Sequence, residues 1–559
     1  MSETEKVFPN TEATDSKTPQ PQLVTPAAAA KETEATVRMK DNFGFFGPAT
    51  FLYALFYAFC MFKNNSGITF PFFIAASLFY LCFSLSKLGL ILKKGSSFYM
   101  IGIMMLAVST FCTDDGRLIA FNKTGIFLLM MSLLLKQFYD TAQWKLGKYL
   151  GSIVVMSIAC LGEFGRPFSD MAGYIKKKDG KQNKTIWYAI LGVLIALPLL
   201  AIVIGLLAGA DAVFRNMTDT LLDGVNFDNI FQVTVQVMFL YFAAYMMTAY
   251  LCKHSLSEQV KDRRNGEPVL AITITGMLSV IYLLFSGIQI IYLFLGKMSL
   301  PEGYTYAEYA REGFFQLLAV SIINLILVLV CMSLFKESRV LKVVLTVMSL
   351  CTFIMIASSA LRMIIYIRFY YLTFLRILVL WALALLFVLF MGVIISIYAE
   401  NFPLFRYSTA VVTVLYIILS FSHPDLIIAS VNVANAPRKE VSWEASSNFF
   451  LAESPYRDYA YLSELSADAA PVLIPYLQEL GYDMNVFLDL DRDGNKISLP
   501  YEARSNGRRN VDGFGYYYLL HLRESTENFG LRTYNVSRHM ALRQIQKYCS
   551  FTEIPLSSD

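Results

Sequence analysis

The stretch IWYAILGVLIALPLLAIVIGLLAGA, Ile186–Ala210, runs for 25 residues without one charge. In water such a helix would have to be buried on every side. In lipid it is the ordinary solution, because a helix satisfies its own backbone polar groups. It is one of twelve apolar segments: 46–62, 68–86, 98–112, 118–135, 149–164, 186–210, 230–252, 269–296, 314–335, 340–361, 376–398 and 407–422. A soluble chain has no interior for so many. The fold class is therefore all-α: a polytopic transmembrane helical bundle of about 11 spans, with 10–12 as the range.

Composition divides the chain into three parts. Hydrophobic residues make up 56% and charged residues 16%, against about 25% charge in average soluble domains. Residues 1–45 hold 5 Lys/Arg against 7 Asp/Glu, residues 46–429 hold 29 against 19, and residues 430–559 hold 13 against 17. The net charge of +4 thus hides a basic membrane block between two acidic flanks. Such an excess reflects loop cations held on the cytoplasmic side and argues against nucleic acid as a partner. The first 40 residues are polar and interrupted by Pro9, Pro19, Pro21 and Pro26. They read as a disordered tail, with the first span as an uncleaved insertion signal. Eight cysteines without a CxxC pair and four scattered histidines give neither a disulfide framework nor a zinc site.

Loop charges decide how many segments cross. If all twelve span and the N-terminus is cytoplasmic, 12 Lys/Arg of the block fall inside and 17 outside, against the positive-inside rule. Segment 149–164 is the weakest: it is short, and Leu150, Ile153, Val154, Ile158 and Leu161 form a stripe that suits an in-plane helix. Without it the split becomes 20 inside and 9 outside. The expected topology has eleven spans, a cytoplasmic N-terminus and an extracytoplasmic C-terminal domain in the cell membrane.

Ionisable groups at membrane depth are costly and mark candidate sites. Asp211 ends the uncharged span. Glu308, Arg311 and Glu312 share one helix face before the span at 314, and Asn324 lies inside that span near the same face. Arg362, Arg368 and Arg376 fall on the expected outer side, against the charge rule. They suit an anionic ligand or a lipid phosphate, which guanidinium groups bind bidentately, and pairing with Asp211 or Glu308 would explain them equally. Asp114-Asp115-Gly116 is a turn, or a weak metal site. HExxH, P-loop and Gly-x-Ser-x-Gly patterns are missing, which argues against an enzyme.

Residues 430–559 have soluble composition and read as a small, mostly helical domain, with helices over 456–465, 471–480, 515–524 and 536–548. Asp489, Asp491 and Asp493, followed by Gly494, match the first half of a calcium loop. The second half fails, because Pro500 stands where the bidentate Glu belongs. Calcium is the one cofactor the sequence suggests, and an acidic turn is the plainer reading.

Six segments in order carry a resemblance: LLAGADAVF (206–214), YAREGFFQLLAVSIINL (309–325), LRMIIYIRFYYLTFLRI (361–377), HPDLIIASVNV (423–433), LSELSADAAPVL (462–473) and RTYNVSRHMAL (532–542). They resemble bacterial multi-pass membrane proteins grouped as domains of unknown function 4153 and 4173. His423 stands where that pattern has Asn, and Tyr371 where it has Gly. The resemblance implies a bacterial cell-membrane protein and brings no activity or catalytic residue. Three functions stay open: a transporter-like or ligand-binding protein using the polar groups above, an envelope scaffold or sensory protein whose C-terminal domain binds a partner, and a membrane-embedded transferase on a lipid-linked substrate.

Overall fold

A computed structural model describes residues 32–141, 144, 146–177, scattered positions from 192 to 211, 227–253, 256, 264–291, 313–399, 401–435, 456–482, 484, 487, 511–526 and 530–548. Among these every regular element is helical. The chain is an all-α, multi-pass membrane protein. Ten helices of the described residues are long and apolar enough to cross a membrane.

A short helix α1 (Glu34–Asp41) precedes α2 (Phe43–Met61), α3 (Thr69–Lys87), α4 (Ser96–Cys112) and α5 (Gly116–Phe138). Then come α6 (Leu146–Ala159), extended by a 3₁₀ turn at Cys160–Glu163, and the amphipathic α7 (Arg166–Lys177). The remaining long helices are α8 (Phe227–Cys252), α9 (Pro268–Gln289), α10 (Phe314–Leu334), α11 (Arg339–Tyr370), α12 (Phe374–Tyr398) and α13 (Leu404–Phe421). A short α14 (Pro424–Ala434) leads to α15 (Tyr456–Leu462), a 3₁₀ turn at Ala467–Ala469, α16 (Ala470–Glu479), α17 (Val511–Thr526) and α18 (Val536–Gln546).

Two groups of helices pack side by side. In the first, α2 lies against α3 and α8, α3 against α4, and α4 against α5. In the second, α11 lies against α9, α10 and α12. Helix α13 joins them by packing on both α12 and α4. Polar residues fasten the helices where apolar side chains alone would find lipid an equal partner. Asn122 of α5 accepts from Tyr416 Oη and Ser420 Oγ of α13, both at 2.7 Å, and Ser109 of α4 donates to the Ser420 carbonyl at 3.0 Å.

Helix α11 runs nine residues past the apolar segment that ends at 361. Arg362 and Arg368, expected in a loop, are therefore helical. The extension is held by aromatic packing: the Tyr366 ring lies 6.0 Å from Phe314 and 4.8 Å from Tyr370. The helix stops at Tyr371, whose backbone has φ 59° and ψ −174°. Helix α14 begins at His423 (φ 47°), with Pro424 in its first turn. The two residues that depart from the resembled pattern thus both sit at positive φ. Gly and Asn are the residues that tolerate such backbone best.

The bundle has two ends. At one, Arg38 of α1 donates to the Leu88 carbonyl after α3, and Thr33 donates to the Cys252 carbonyl closing α8. At the other lie the α2–α3, α4–α5 and α11–α12 loops and the C-terminal helices. Helix α6 has both ends near the α1 side. Tyr149 in its first turns stacks on Phe405, at the start of α13, with centroids 3.4 Å apart. Glu163, closing the 3₁₀ turn, accepts from Lys253 Nζ at 2.6 Å, just past the end of α8.

Candidate functional site

Of the residues singled out in the sequence that are described, Arg362 and Arg376 lie near one another around Phe314 and Tyr366, while Asn324 sits deeper in the bundle. Asn324 is fully buried midway along α10, accepting from Tyr282 of α9 at 3.0 Å and donating to Thr352 of α11 at 2.9 Å. Nearby, Ser358 of α11 donates to Gln289 of α9 at 2.6 Å. Arg362 is buried beside Gly313, where a Cβ would lie 2.9 Å from its Nη1. Asn324 is eleven residues further into α10, about 16 Å along the axis. Arg376 caps the end of α11 by donating to the Tyr370 and Tyr371 carbonyls, and its guanidinium sits 4.3 Å over the Tyr366 ring. Arg368 and Asp211 are exposed. Glu308, Arg311, Glu312, Asp489, Asp491 and Asp493 lie outside the described residues, so the calcium loop does too.

The densest cluster of buried charge lies elsewhere, where the C-terminal helices meet the bundle. It starts from Thr113-Asp114-Asp115, the three residues linking α4 to α5. Asp115 caps α5 by accepting from the Arg117 amide at 2.9 Å. It also accepts from the Arg117 guanidinium, through Nε at 2.9 Å and Nη2 at 3.1 Å. The same guanidinium reaches Asp425 of α14 at 2.5 Å and stacks 4.1 Å over the Phe374 ring. The second oxygen of Asp425 accepts from the Ser466 amide at 3.0 Å.

Asp468, in the 3₁₀ turn, is the second hub. Its side chain is wholly buried. It accepts from Thr113 Oγ1 at 2.6 Å, the Asp114 amide at 2.8 Å, His423 Nδ1 at 3.1 Å, and Ser537 Oγ. Asp114 pairs with Arg538 of α18 at 2.6 Å. Asn535 caps α18 and donates to the Thr113 carbonyl at 2.9 Å and the Ser66 carbonyl at 3.2 Å. The Ile68 amide donates to the Tyr534 carbonyl at 2.8 Å. Asn432 of α14 exchanges hydrogen bonds with the Leu372 backbone, and Phe374 donates its amide to Tyr461 Oη.

Apolar contacts are continuous across the same boundary. Leu118, Leu372, Phe374, Ile428 and Ala429 from the bundle side share one core with Leu465, Leu473, Leu477, Phe514, Leu519 and Ile545 from the C-terminal helices. Burying each large side chain is worth about 1.5–3 kcal/mol. The C-terminal helices are therefore completed by the bundle.

Burial and pairing pull the titrating groups apart. Burial pushes Asp114 above the usual carboxylate range, against the opposing pull of Arg538. Burial and the neighbouring Asp115 push Asp425 up as well, against Arg117. Burial would raise Asp468 too, but bonds from His423, Ser537, Thr113 and the Asp114 amide outweigh it and hold this carboxyl below its ordinary value. The bond to Asp468 raises His423. Among the described residues, no group of three or more His, Cys, Asp or Glu could hold a metal ion. Asp114 and Asp115 instead face two different arginines, so that turn is an ion-pair hub.

At the α1 end a smaller cluster surrounds Asp170 of α7. Its Oδ2 accepts from Tyr245 at 3.0 Å, and Arg166 lies 3.4 Å from Oδ1. A cleft of about 410 Å³ opens beside it, lined by Glu32, Lys40, Tyr174 and Lys177 among others.

The sequence signal for the junction was present in pieces. Three of the six segments that carry the resemblance, at 423–433, 462–473 and 532–542, supply His423, Asp425, Ser466, Asp468, Asn535, Ser537 and Arg538. A fourth, at 361–377, supplies Leu372 and Phe374. What the sequence did not reveal is that they meet. Neither the curated proteins nor the solved structures give a match to the chain. Residues 100–476 match the family described as Domain of unknown function (DUF4153), so the chain belongs to that family and its junction is built largely from the matched region.

Proposed function

We propose that this chain is an envelope scaffold or sensory protein of the cell membrane, with its C-terminal helices carried as a fixed head on the outer end of the bundle. The observation that carries the reading is the junction. Four buried carboxylates, two arginines and a shared apolar core join the head to the α4–α5 loop, the α11–α12 loop and α14. Breaking one member of such a buried pair costs about 3–5 kcal/mol. A head held this firmly moves with the spans, as a sensor or an anchoring platform requires.

The two ends of the bundle support an eleven-span topology. Helix α6 begins and ends near α1, which supports an in-plane placement. Helix α7 packs at the α1 end, while α8 starts at the head end, since Phe51 of α2 meets Tyr241 and Phe43 meets Tyr245 in antiparallel order. The intervening chain contains the uncharged stretch Ile186–Ala210, whose composition and length suit an eleventh crossing. An odd number of crossings puts α1 and the head on opposite sides, and loop charge puts α1 in the cytoplasm. The transporter-like reading rests on Asp211, Glu308, Arg311, Glu312, Asn324, Arg362, Arg368 and Arg376, of which Glu308, Arg311 and Glu312 lie outside the described residues. Asn324 and Arg376 are engaged by neighbouring groups, as interhelical fasteners are.

The test is labelling of intact cells with a membrane-impermeant maleimide in a cysteine-free background. Leu531, 95% exposed in the head, and Val37 of α1, 42% exposed, are each changed to Cys. Leu531→Cys is expected to label without permeabilisation and Val37→Cys only after it. Equal labelling of the two would end the eleven-span topology.

A further inference from the structure

We propose that the junction is a proton-linked latch, in which the His423–Asp468 pair tightens the head on the bundle in mildly acidic conditions and loosens it as pH rises. This regulation rests on the docked-head reading above.

Among the described residues the junction has a charge imbalance that a proton would correct. Asp114, Asp115, Asp425 and Asp468 have side chains 0–5% exposed and bring four negative charges into one buried network. Arg117 and Arg538 return two positive charges. His423 can supply a third, and its ring is 31% exposed, so protons can reach it. Among the described residues, the other groups around the pair are Cys112 at the end of α4, Tyr518 of α17, which donates to the Ser466 carbonyl at 3.2 Å, and the neutral Thr113 and Ser537 hydroxyls. The histidine of α18, His539, lies against the Tyr534 ring, with centroids 5.2 Å apart. His423 also bridges the two parts of the molecule. Its backbone caps α14 at the end of the bundle, while its ring bonds to the head.

The sign is the same for three groups. A histidine whose folded value is raised contributes docking that is complete below 6.5, its ordinary value, and is lost as pH rises through the raised value. Asp114 and Asp425, raised by burial, likewise favour docking in their protonated forms and oppose it as they ionise. Asp468 acts oppositely. Its lowered value means docking is lost only when pH falls through that value, beneath 3.8. Docking is therefore tightest at mildly acidic pH and weakens on the alkaline side. A head on the outer face would meet such changes directly.

Two backbone amides report the latch. The Asp114 amide donates to Asp468, and the Ser466 amide donates to Asp425. Hydrogen exchange is measured on the full chain in lipid nanodiscs, for peptides covering both amides, and corrected for the intrinsic pH dependence of exchange. Protection is expected to fall roughly tenfold between about pH 6 and about pH 9, as it does when the docked state holds one proton about ten times more tightly than the undocked state. His423→Asn keeps a residue suited to positive φ and a donor toward Asp468 but removes the titration. It is expected to lessen that dependence, leaving only the part that Asp114 and Asp425 carry. Protected amides with no pH dependence, or an unchanged dependence in His423→Asn, would overturn the latch and leave the docked head standing. Amides that exchange at the intrinsic rate at every pH would overturn the docked head itself.

Discussion

At the scale of single residues, backbone conformation explains one feature that side-chain chemistry does not. Tyr371 closes α11 in a region of φ and ψ that is almost reserved for glycine. Arg376 uses its carbonyl, which any residue supplies. Tyr371→Gly is therefore expected to raise the stability of the full chain by about 1 kcal/mol, relieved strain exceeding the added chain entropy of glycine. A thermal melt in nanodiscs checks it, and a lowered midpoint would show that the ring does more than the backbone suggests. Asp468 is the opposite case, a residue chosen for its side chain. It satisfies donors from α14, the α4–α5 loop and α18 at once. Asp468→Ala leaves those donors buried and unpaired, and an expected loss of about 3–5 kcal/mol follows. Normal yield and melting of that variant would contradict its place as a hub.

At the scale of elements, close backbone approach fixes how the head sits. Gly67, in the α2–α3 loop, has no room for a side chain: a Cβ there would lie 2.6 Å from both the Arg532 carbonyl oxygen and the Thr533 Cα. These are backbone atoms, which cannot turn aside. Gly67→Ala is expected to push the Arg532–Asn535 stretch away and cost about 1–3 kcal/mol. Limited proteolysis of the head should then speed up, and an unchanged cleavage rate would mean the loop yields instead. Helix α6 shows what the sequence could and could not say about elements. With its 3₁₀ extension its length and mean hydropathy are those of a span, and nothing in its own residues beyond the stripe through Leu150, Ile153, Val154, Ile158 and Leu161 separates it from one. Its placement rests on partners far along the chain, Phe405 at one end and Lys253 at the other. Helix boundaries behaved likewise. Apolar length located α9 through α13, but α11 outran its apolar segment because tyrosines and arginines packed on neighbouring helices, a tertiary effect.

At the scale of the whole molecule, the class of fold was legible because lipid imposes one rule on every span, and that rule is written in consecutive residues. The junction obeys no such local rule. Asp115 and Asp425 share one guanidinium across 310 positions of sequence, and Asp114 meets Arg538 across 424. Each carboxylate taken alone reads as a turn residue or a helix cap, which Asp115 indeed also is. The segments that carry the resemblance are visible in the sequence, yet their meeting place is not, because spacing along the chain says nothing about which loops share one end of a bundle. Seen together, four of those six segments are the parts that fasten head to bundle.

The central claim is that the head is fastened by these buried pairs, and a double-mutant cycle on Asp114 and Arg538 tests it most directly. Asp114→Asn, Arg538→Gln and the double variant are prepared as full chains in nanodiscs, and their unfolding is compared with the parent. Their side chains are 5% and 20% exposed and 2.6 Å apart, so the pair should couple by about 1 kcal/mol or more. The double variant is then less damaged than the sum of the singles. Effects that add to within about 0.3 kcal/mol would mean that the two residues do not act on one another, and the junction would no longer account for how the head is held.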